Sequence, residues 1–406
     1  MSATSSSAHD ALPLVVVDDG LGAFGPLTDL RAAFELRAGL GTLLERIESA
    51  VGRRADALVA HPELAALVAD STGRPVNALP AAPRCLAVNG RLLTASAARV
   101  PLGEVHATAD GQFVAGWMSS DQALSAARTP PAPTHTVEAR LAAAPWDITA
   151  AIAATLDEDL RLTPRAIRHL RPDEGQSFGT HPIAIDPTAT IGPLCVIDAS
   201  KGPVVLGPGV VVRPFTVLVG PCAILDGSTV AERSLIKAST VIGPQCRAGG
   251  EIGGTIFQGY SNKSHDGHLG DSFVGEWVNI GAGTDNSNLL NTYGEVIVRL
   301  EPDGGLMRTG RQFWGSVIAD HVKLAIGTRL MTGTTLGTGA MIAASRSPAT
   351  LVPRFSWITD AQDGPKTFRI DKFLETARAM MSRRGKSPSP ALESRLRAVH
   401  AKATGA

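Results

Sequence analysis

From Ile185 to Ile342 a small aliphatic residue returns at every sixth position. The runs are Ile185, Ile191 and Ile197; Val211 and Val217; Ile224, Val230, Ile236 and Ile242; Val274 and Ile280; and Ile318, Leu324, Leu330, Leu336 and Ile342. Gly, Pro, Thr, Ser, Asp and Ala fill the intervening positions, in units such as IGPLCV, IKASTV and LGTGAM. A period of six fits neither an amphipathic helix nor an alternating strand. It fits a hexapeptide parallel β-helix, in which each unit supplies one short strand and one turn and three units close a triangular coil. The aliphatic residue points into the prism, and small residues fit the corners.

Elsewhere the pattern changes. Leu12–Gly20 reads as a buried strand ending in a turn, Leu30–Val51 carries apolar residues at helical spacing, and Ala55–His61, His61–Asp70 and Arg84–Leu93 read as strand, helix and strand. Alternation of this kind predicts an open α/β domain. A Pro-rich break at Thr129–His135 reads as a linker or domain-edge loop, and Trp146–Leu162 as a helix with Thr149 a candidate cap. Two stretches, 253–272 and 285–316, depart from the hexapeptide register and predict functional loops. Asp371–Arg384 and Ala391–Ala403 predict two terminal helices that cover the end of the solenoid. The expected units are 12–170 (α/β domain with connector), 181–345 (β-helix) and 365–406 (helical tail).

Composition narrows the function classes. Lys+Arg and Asp+Glu number 38 each, so nothing suggests a nucleic acid or an anionic membrane as partner. Aromatic residues are scarce at 4% and glycines number 42, which suits a narrow prism. Cys85, Cys195, Cys222 and Cys246 form no CxxC pair and read as small buried hydrophobes in a reducing compartment. No apolar run approaches membrane-span length, and MSATSSSAHD lacks the features of a signal peptide, so a cytoplasmic location is expected.

The densest polar cluster in the repeat is Ser261-Asn262-Lys263-Ser264-His265-Asp266-Gly267-His268, followed by LGDSFVGEWVNIGAGT. Acetyl transfer from a thioester to an amine needs a general base near neutral pH and donors for the oxyanion. A loop histidine meets the first need. Asn262, Asn279 and the amides around Gly281–Gly283 meet the second, or hold a sugar.

His265-x-x-x-Leu269-Gly270-Asp271 followed by Asn279-Ile280-Gly281-Ala282-Gly283-Thr284 resembles the acetyltransferase half of a bifunctional family, the N-acetylglucosamine-1-phosphate uridylyltransferase/glucosamine-1-phosphate acetyltransferases. The likeness resumes across Val317–Ala344. A shortened α/β domain ahead of the repeat is similar to the shorter bacterial form of that family. The resemblance implies a fold with a shortened nucleotidyltransferase-like α/β N-terminal domain, a left-handed parallel β-helix of hexapeptide repeats and C-terminal helices. It implies a homotrimer using acetyl-CoA and an amino-sugar 1-phosphate, with UTP and Mg2+ where nucleotidyl transfer also runs. Carried over by position, His265 is the base, Asn279 a sugar ligand, and Ala282 and Ala344 contacts to the acetyl-CoA arm. Tyr293 replaces the family's tyrosine in an altered loop. His268 stands where the family has a tyrosine, Ile326 where it has a serine near the thioester, and Gly253 where it has a lysine. Lys263, Arg311, Lys237, Arg247 and Arg308 are therefore candidate ligands for the sugar phosphate. Lys323, Arg329, Arg346 and Arg354 are candidates for the CoA phosphate, and Trp277, Phe313 and Trp314 for lid or trimer contacts.

The first strand runs into Asp18-Asp19-Gly20-Leu21-Gly22-Ala23-Phe24-Gly25, which has the glycines of a phosphate-binding turn without its basic residues. Arg31 and Arg37 are the candidate nucleotide ligands. Asp18 and Asp19 are candidates for a magnesium ion or, alternatively, for a turn. Three other readings stand beside acetyl transfer: nucleotidyl transfer with the β-helix as trimerisation module, a zinc site of the β-helix carbonic anhydrase type using His265, His268 and His321, and a scaffold without catalysis.

Overall fold

The computed structural model describes residues 12–126, 129–163, 165, 167–361, 364 and 366–405. The N-terminal part is one six-stranded mixed sheet with flanking helices, and a parallel β-helix follows it. In chain order the first elements are β1 (Leu14–Val17), α1 (Leu43–Val51), β2 (Ala57–Val59), α2 (Ala65–Thr72), β3 (Cys85–Asn89), β4 (Val105–Ala107) and β5 (Phe113–Met118). They continue with α3 (Ser120–Ser125), β6 (His135–Thr136), α4 (Pro145–Ala150) and α5 (Ile152–Leu162). The order across the sheet is β2-β1-β3-β5-β4-β6. β1 pairs in parallel with both β2 and β3 and is buried on both faces, which is why it is an unbroken Leu-Val-Val-Val run. The Pro-rich segment is a domain edge rather than a free linker, because β6 pairs beside β4.

The helix expected over Leu30–Val51 forms only from Leu43. Thr42 Oγ1 accepts from the Glu45 amide and the Glu45 carboxylate accepts from the Thr42 amide, a reciprocal cap that starts α1 there. Upstream, Gly39 takes φ +120°, and a Cβ at that position would lie 2.5 Å from Asp159 Oδ2. Residues 30–42 are turns instead, and they lie against the β-helix. The Trp146–Leu162 helix divides at Ala151, and Asp147 caps its start where Thr149 was the candidate.

In the left-handed β-helix three parallel sheets form the prism faces, and Val205 pairs with Ala223 and Ala223 with Val241, three hexapeptides per coil. Its strands run from Gly175 to Thr359, beyond the expected 181–345 at both ends. Ile185, Ile197, Ile224, Ile236, Ile242, Val274, Ile318 and Leu336 fill the interior as one apolar cluster. One stretch of the expected register is displaced by a residue: Val212 and Leu218 point inward, whereas Val211 and Val217 are only half-buried. Val210-Val211-Val212 offers three equivalent aliphatics, so the pattern alone does not say which one faces in.

The two irregular stretches behave differently. Residues 253–272 stay within the coils, as strands Ile256–Gly259, Asn262–Lys263 and His268–Gly270. In the second stretch Asp285–Asn286 and Ser316 still pair within the coils, and the residues between them leave the prism with an antiparallel hairpin, Ile297–Val298 against Met307–Arg308.

One prism face is apolar outside as well as inside. Val205, Ala223, Val241, Ile256, Phe273 and Val317 turn outward and are buried in one cluster with Phe24, Leu27, Leu36, Ile148, Ile152 and Leu156. The excursion adds Val296, Val298, Leu300 and Trp314, whose ring meets Trp146 edge-on at 5.7 Å. Trp314 is thus an inter-domain contact.

The polar half of the junction is equally buried. Arg31 donates to both oxygens of Asp320 at 2.8 and 2.9 Å and lies 3.4 Å from Glu276. Arg37 donates from Nε to the Gln258 carbonyl, while Gln258 accepts from the Arg37 amide. Arg354 bridges Asp29 and Glu301. The tail helices are α6 (Ile370–Ser382) and α7 (Pro390–Thr404), close to expectation. Phe373, Leu374, Leu396 and Val399 pack with Phe355 and with Leu30 and Leu67 of the α/β domain, so the tail ties all three parts together.

Removing one partner of a buried pair leaves an uncompensated charge. Arg31→Met is expected to destabilise the protein by about 3–5 kcal/mol in denaturant unfolding, with part of the loss recovered in Arg31→Met/Asp320→Leu. Equal stability of Arg31→Met and wild type would remove this pair from the junction's energetics.

Candidate functional site

Register places the site. Along one prism face Arg247 pairs with Asn262, Asn262 with Asn279, Asn279 with Lys323 and Lys323 with Met341, coil upon coil. Three residues after Asn262, Asn279, Lys323 and Met341 the chain turns the same corner. Continuing the register, His265, Ala282, Ile326 and Ala344 occupy equivalent positions in four successive coils, on one edge of the prism. The turns interlock: the Gly283 amide donates to the Asp266 carbonyl at 3.3 Å and the Gly327 amide to the Ala282 carbonyl at 2.8 Å. Gly283 and Gly327 take φ of +66° and +68°, which glycine adopts without a Cβ penalty.

His265 is exposed on this edge, and among the described residues its imidazole has no hydrogen-bond partner. Ile326, two coils along the same edge, is 78% exposed, an unusual position for a large aliphatic residue. Of the three amides around Gly281–Gly283, those of Gly281 and Gly283 already donate to Leu324 and Asp266. The Ala282 amide has no such backbone bond among the described residues.

Lys263 is placed differently from expectation. Its side chain lies inside the prism, and Nζ donates to the carbonyls of Gly249, His265, Asp266 and Gly267 at 2.7–3.3 Å. It pins the turn that carries His265 instead of facing a phosphate. Burial pushes its pKa down to about 8.

Asn262 and Asn279 line a cavity of about 330 Å³ between the ladder and α6, together with Arg247, Lys323 and Arg384. Arg384 Nη2 donates to Asn262 Oδ1 at 2.7 Å. Lys323 donates to the carbonyls of Trp277 and His321, and burial lowers its pKa to about 7. Arg384 was not anticipated, because the tail's sequence reads only as a covering element.

The other candidates scatter. His268 Nδ1 lies 3.2 Å from the Asn286 carbonyl and Nε2 3.8 Å from Glu251. Tyr293 is exposed on the excursion, and its carbonyl accepts from Gln312. Arg311 Nε is buried there without a hydrogen-bond partner. Lys237 pairs with Glu251, Arg308 with Glu295, and Arg329 donates to the Ser345 carbonyl. Phe313 and Arg346 remain exposed, and Trp277 is buried. His321 lies on a different corner, stacked 6.4 Å from Trp277 and edge-on to Phe373, with neither ring nitrogen hydrogen-bonded. Burial holds its pKa well below the usual imidazole range. It therefore does not join His265 and His268 in a metal site within the chain.

In the α/β domain the candidate nucleotide groups already have protein partners. Asp19 takes a bidentate contact from Arg91 at 2.7 Å on each oxygen, and Asn89 also donates to it. Asp18 accepts from the Gly20 and Ala33 amides. With these oxygens filled, the pair serves the turn, which was the alternative expectation, and does not fit a magnesium ion. Arg31 and Arg37 anchor the junction, as described above.

The fold is an α/β domain docked on a hexapeptide β-helix. A family model described as sugar nucleotidyl transferase matches residues 14–166. Parts of the chain are similar to proteins named as bifunctional nucleotidylyltransferase/acetyltransferases. The chain is 29% identical over 136 residues to the bifunctional sugar-1-phosphate nucleotidylyltransferase/acetyltransferase of Sulfurisphaera tokodaii, covering 34% of this chain and 28% of that protein. To the bifunctional protein GlmU of Methanococcus aeolicus it is 31% identical over 165 residues, covering 40% and 39%. The chain thus spans well under half the length of these relatives. Among solved structures, a UDP-N-acetylglucosamine acyltransferase of Francisella novicida aligns at 16% identity and a TM-score of 0.29, over 52% of this chain and 73% of that one.

Lys263→Met is expected to cost about 3 kcal/mol, since it strands buried carbonyls, and to speed amide exchange at 264–267. Unchanged exchange there would mean that the turn holds without the amine. Lys323 has a folded pKa of about 7, below its unfolded value of 10.5, so the unfolded chain binds more protons between the two. Wild type should therefore gain stability relative to Lys323→Met as pH rises from about 7 towards 10; a pH-independent difference would contradict this.

Proposed function

We propose that the chain is an acetyl-CoA-dependent N-acetyltransferase acting on an amino-sugar 1-phosphate. The observation that carries this reading is the shared edge: His265, Ala282, Ile326 and Ala344 recur at one register position beside the Asn262–Asn279 ladder. An extended acyl-CoA arm along that edge would bring its thioester past an imidazole free to accept a proton. The names of the bifunctional relatives support the same reading.

In this mechanism the amine nitrogen attacks the thioester carbonyl while His265 takes the ammonium proton, and the resulting tetrahedral oxyanion meets a backbone N–H, for which the unengaged amide of Ala282 is the candidate. Collapse breaks the C–S bond, and the proton held by His265 passes to the departing CoA thiolate. Asn262, Asn279 and Arg247 hold the sugar phosphate, Lys323 lines the same cavity, and Arg384 sets the Asn262 amide. Ile326 gives the acyl chain an apolar neighbour. The assembly proposed is a trimer, in which an exposed edge of one subunit faces a groove of the next.

Nucleotidyl transfer is a second reaction proposed for residues 14–166, carried by the family match. No step is assigned there to Asp18, Asp19, Arg31 or Arg37, whose charges are neutralised within the fold or bound to its backbone.

His265→Ala should reduce CoA thiol release, with acetyl-CoA and glucosamine 1-phosphate, by at least about 100-fold while leaving the circular dichroism and melting temperature unchanged. Full turnover in the variant would take His265 out of the mechanism. Pyrophosphate release from UTP and a sugar 1-phosphate should be unaffected by the same change.

A further inference from the structure

Far from this edge, the α/β sheet gathers two histidines and a carboxylate at its outer rim. Glu104 and His106 stand two residues apart, so their side chains share a face of the sheet. His135 on β6 is the register partner of His106 on β4. Glu104 Oε2 lies 2.7 Å from His106 Nε2 and 3.4 Å from His135 Nδ1, and the three ligand atoms all lie within 4.8 Å of one another. Among the described residues it is the only His/Cys/Asp/Glu group so arranged. The two imidazoles meet edge-on at 5.6 Å.

We infer that Glu104, His106 and His135 bind a zinc-class divalent transition-metal ion. In a tetrahedral site with bonds of about 2.0–2.1 Å, neighbouring ligand atoms stand about 3.3 Å apart. The Glu104–His135 separation already matches that edge. The Glu104–His106 distance is that of a hydrogen bond, and it opens to the metal edge when the ion displaces the shared proton. Imidazole nitrogens select zinc, cobalt, nickel or copper over magnesium and calcium. His106 is mostly buried and fixed, whereas the His135 side chain is 55% exposed and leaves a solvent path to the fourth coordination position. His135 Nδ1 now lies 2.9 Å from Thr134 Oγ1, a contact that a small ring rotation exchanges for the ion. The consequence is mechanical: β6 is two residues long and follows the Pro-rich segment, so the ion would clip that segment to the sheet edge.

The test uses the untagged full-length chain after chelator treatment and dialysis. Titration with Co2+, read by visible absorption, and zinc retention, read by elemental analysis, should each give one equivalent per chain. In His135→Ala and Glu104→Gln the apparent affinity should fall by at least about 100-fold, since even outer-shell changes cost 10- to 100-fold. His135 is exposed, so its variant keeps the fold, and circular dichroism checks this. Absence of binding tighter than about 1 mM, or equal binding in wild type and His135→Ala, would overturn the assignment.

Discussion

Parallel pairing of coil on coil is the constraint from which the rest of this structure follows. A strand in such a ladder has no freedom of register, because slipping by one residue would turn its aliphatic side chains out of the prism. Whatever stands a fixed distance past the strand is then repeated at the same corner in every coil. His265, Ala282, Ile326 and Ala344 are scattered through eighty residues of sequence, yet the ladder brings them to one edge. A catalytic arrangement needs side chains held to within fractions of an ångström. The prism supplies that precision from its backbone bonding, without dedicated scaffolding at each residue.

The same ladder explains how a second domain attaches. Two prism faces alternate apolar and polar residues in the usual way. The third carries apolar residues at adjacent positions, as in Val204-Val205-Leu206, and is buried on both sides. Docking therefore relies on continuous apolar area, and the charges within it must be paired. Arg31–Asp320 and Arg354–Asp29 meet that demand. The two-nitrogen contacts of Arg31 with Asp320 and of Arg354 with Glu301 make such pairs tolerable, since each guanidinium and carboxylate must recover in the protein the bonds it loses to water.

These features divide according to what a sequence can display. The β-helix was legible because its signal is a period, and a period survives in one dimension. The place of His265 over Ala282 was legible for a related reason: its distance to Asn279 and to Gly281-Ala282-Gly283 is a fixed offset, which the ladder turns into one edge. Val211 and Val217 were misassigned because adjacent valines carry no facing information. The helix over Leu30–Val51 was overextended because apolar spacing outweighed the Thr42–Glu45 cap and two glycines. Arg31, Arg37 and Lys263 illustrate the harder limit. A cation in sequence has no visible partner, so it reads as a ligand for something outside. Each of the three instead answers groups inside the fold, Asp320, Gln258 and a ring of carbonyls, and nothing local announces that.

Lys263 also shows how such a hidden role bears on the site. The turn from Ser264 to Gly267 aims three carbonyls inward, which is unfavourable in an apolar prism unless a donor meets them. An ammonium with three protons is the side chain suited to that ring, and its stem fits the interior position where other coils place an aliphatic residue. The turn can therefore bulge outward at His265 without an unsatisfied core. The neighbouring histidine is presented to solvent by a cation that never touches it through its own side chain. Distance from the proposed chemistry is thus a poor guide to importance here: an interior lysine bonds the carbonyl of His265 itself, and an arginine just past the first tail helix holds the Asn262 side chain on the adjoining face.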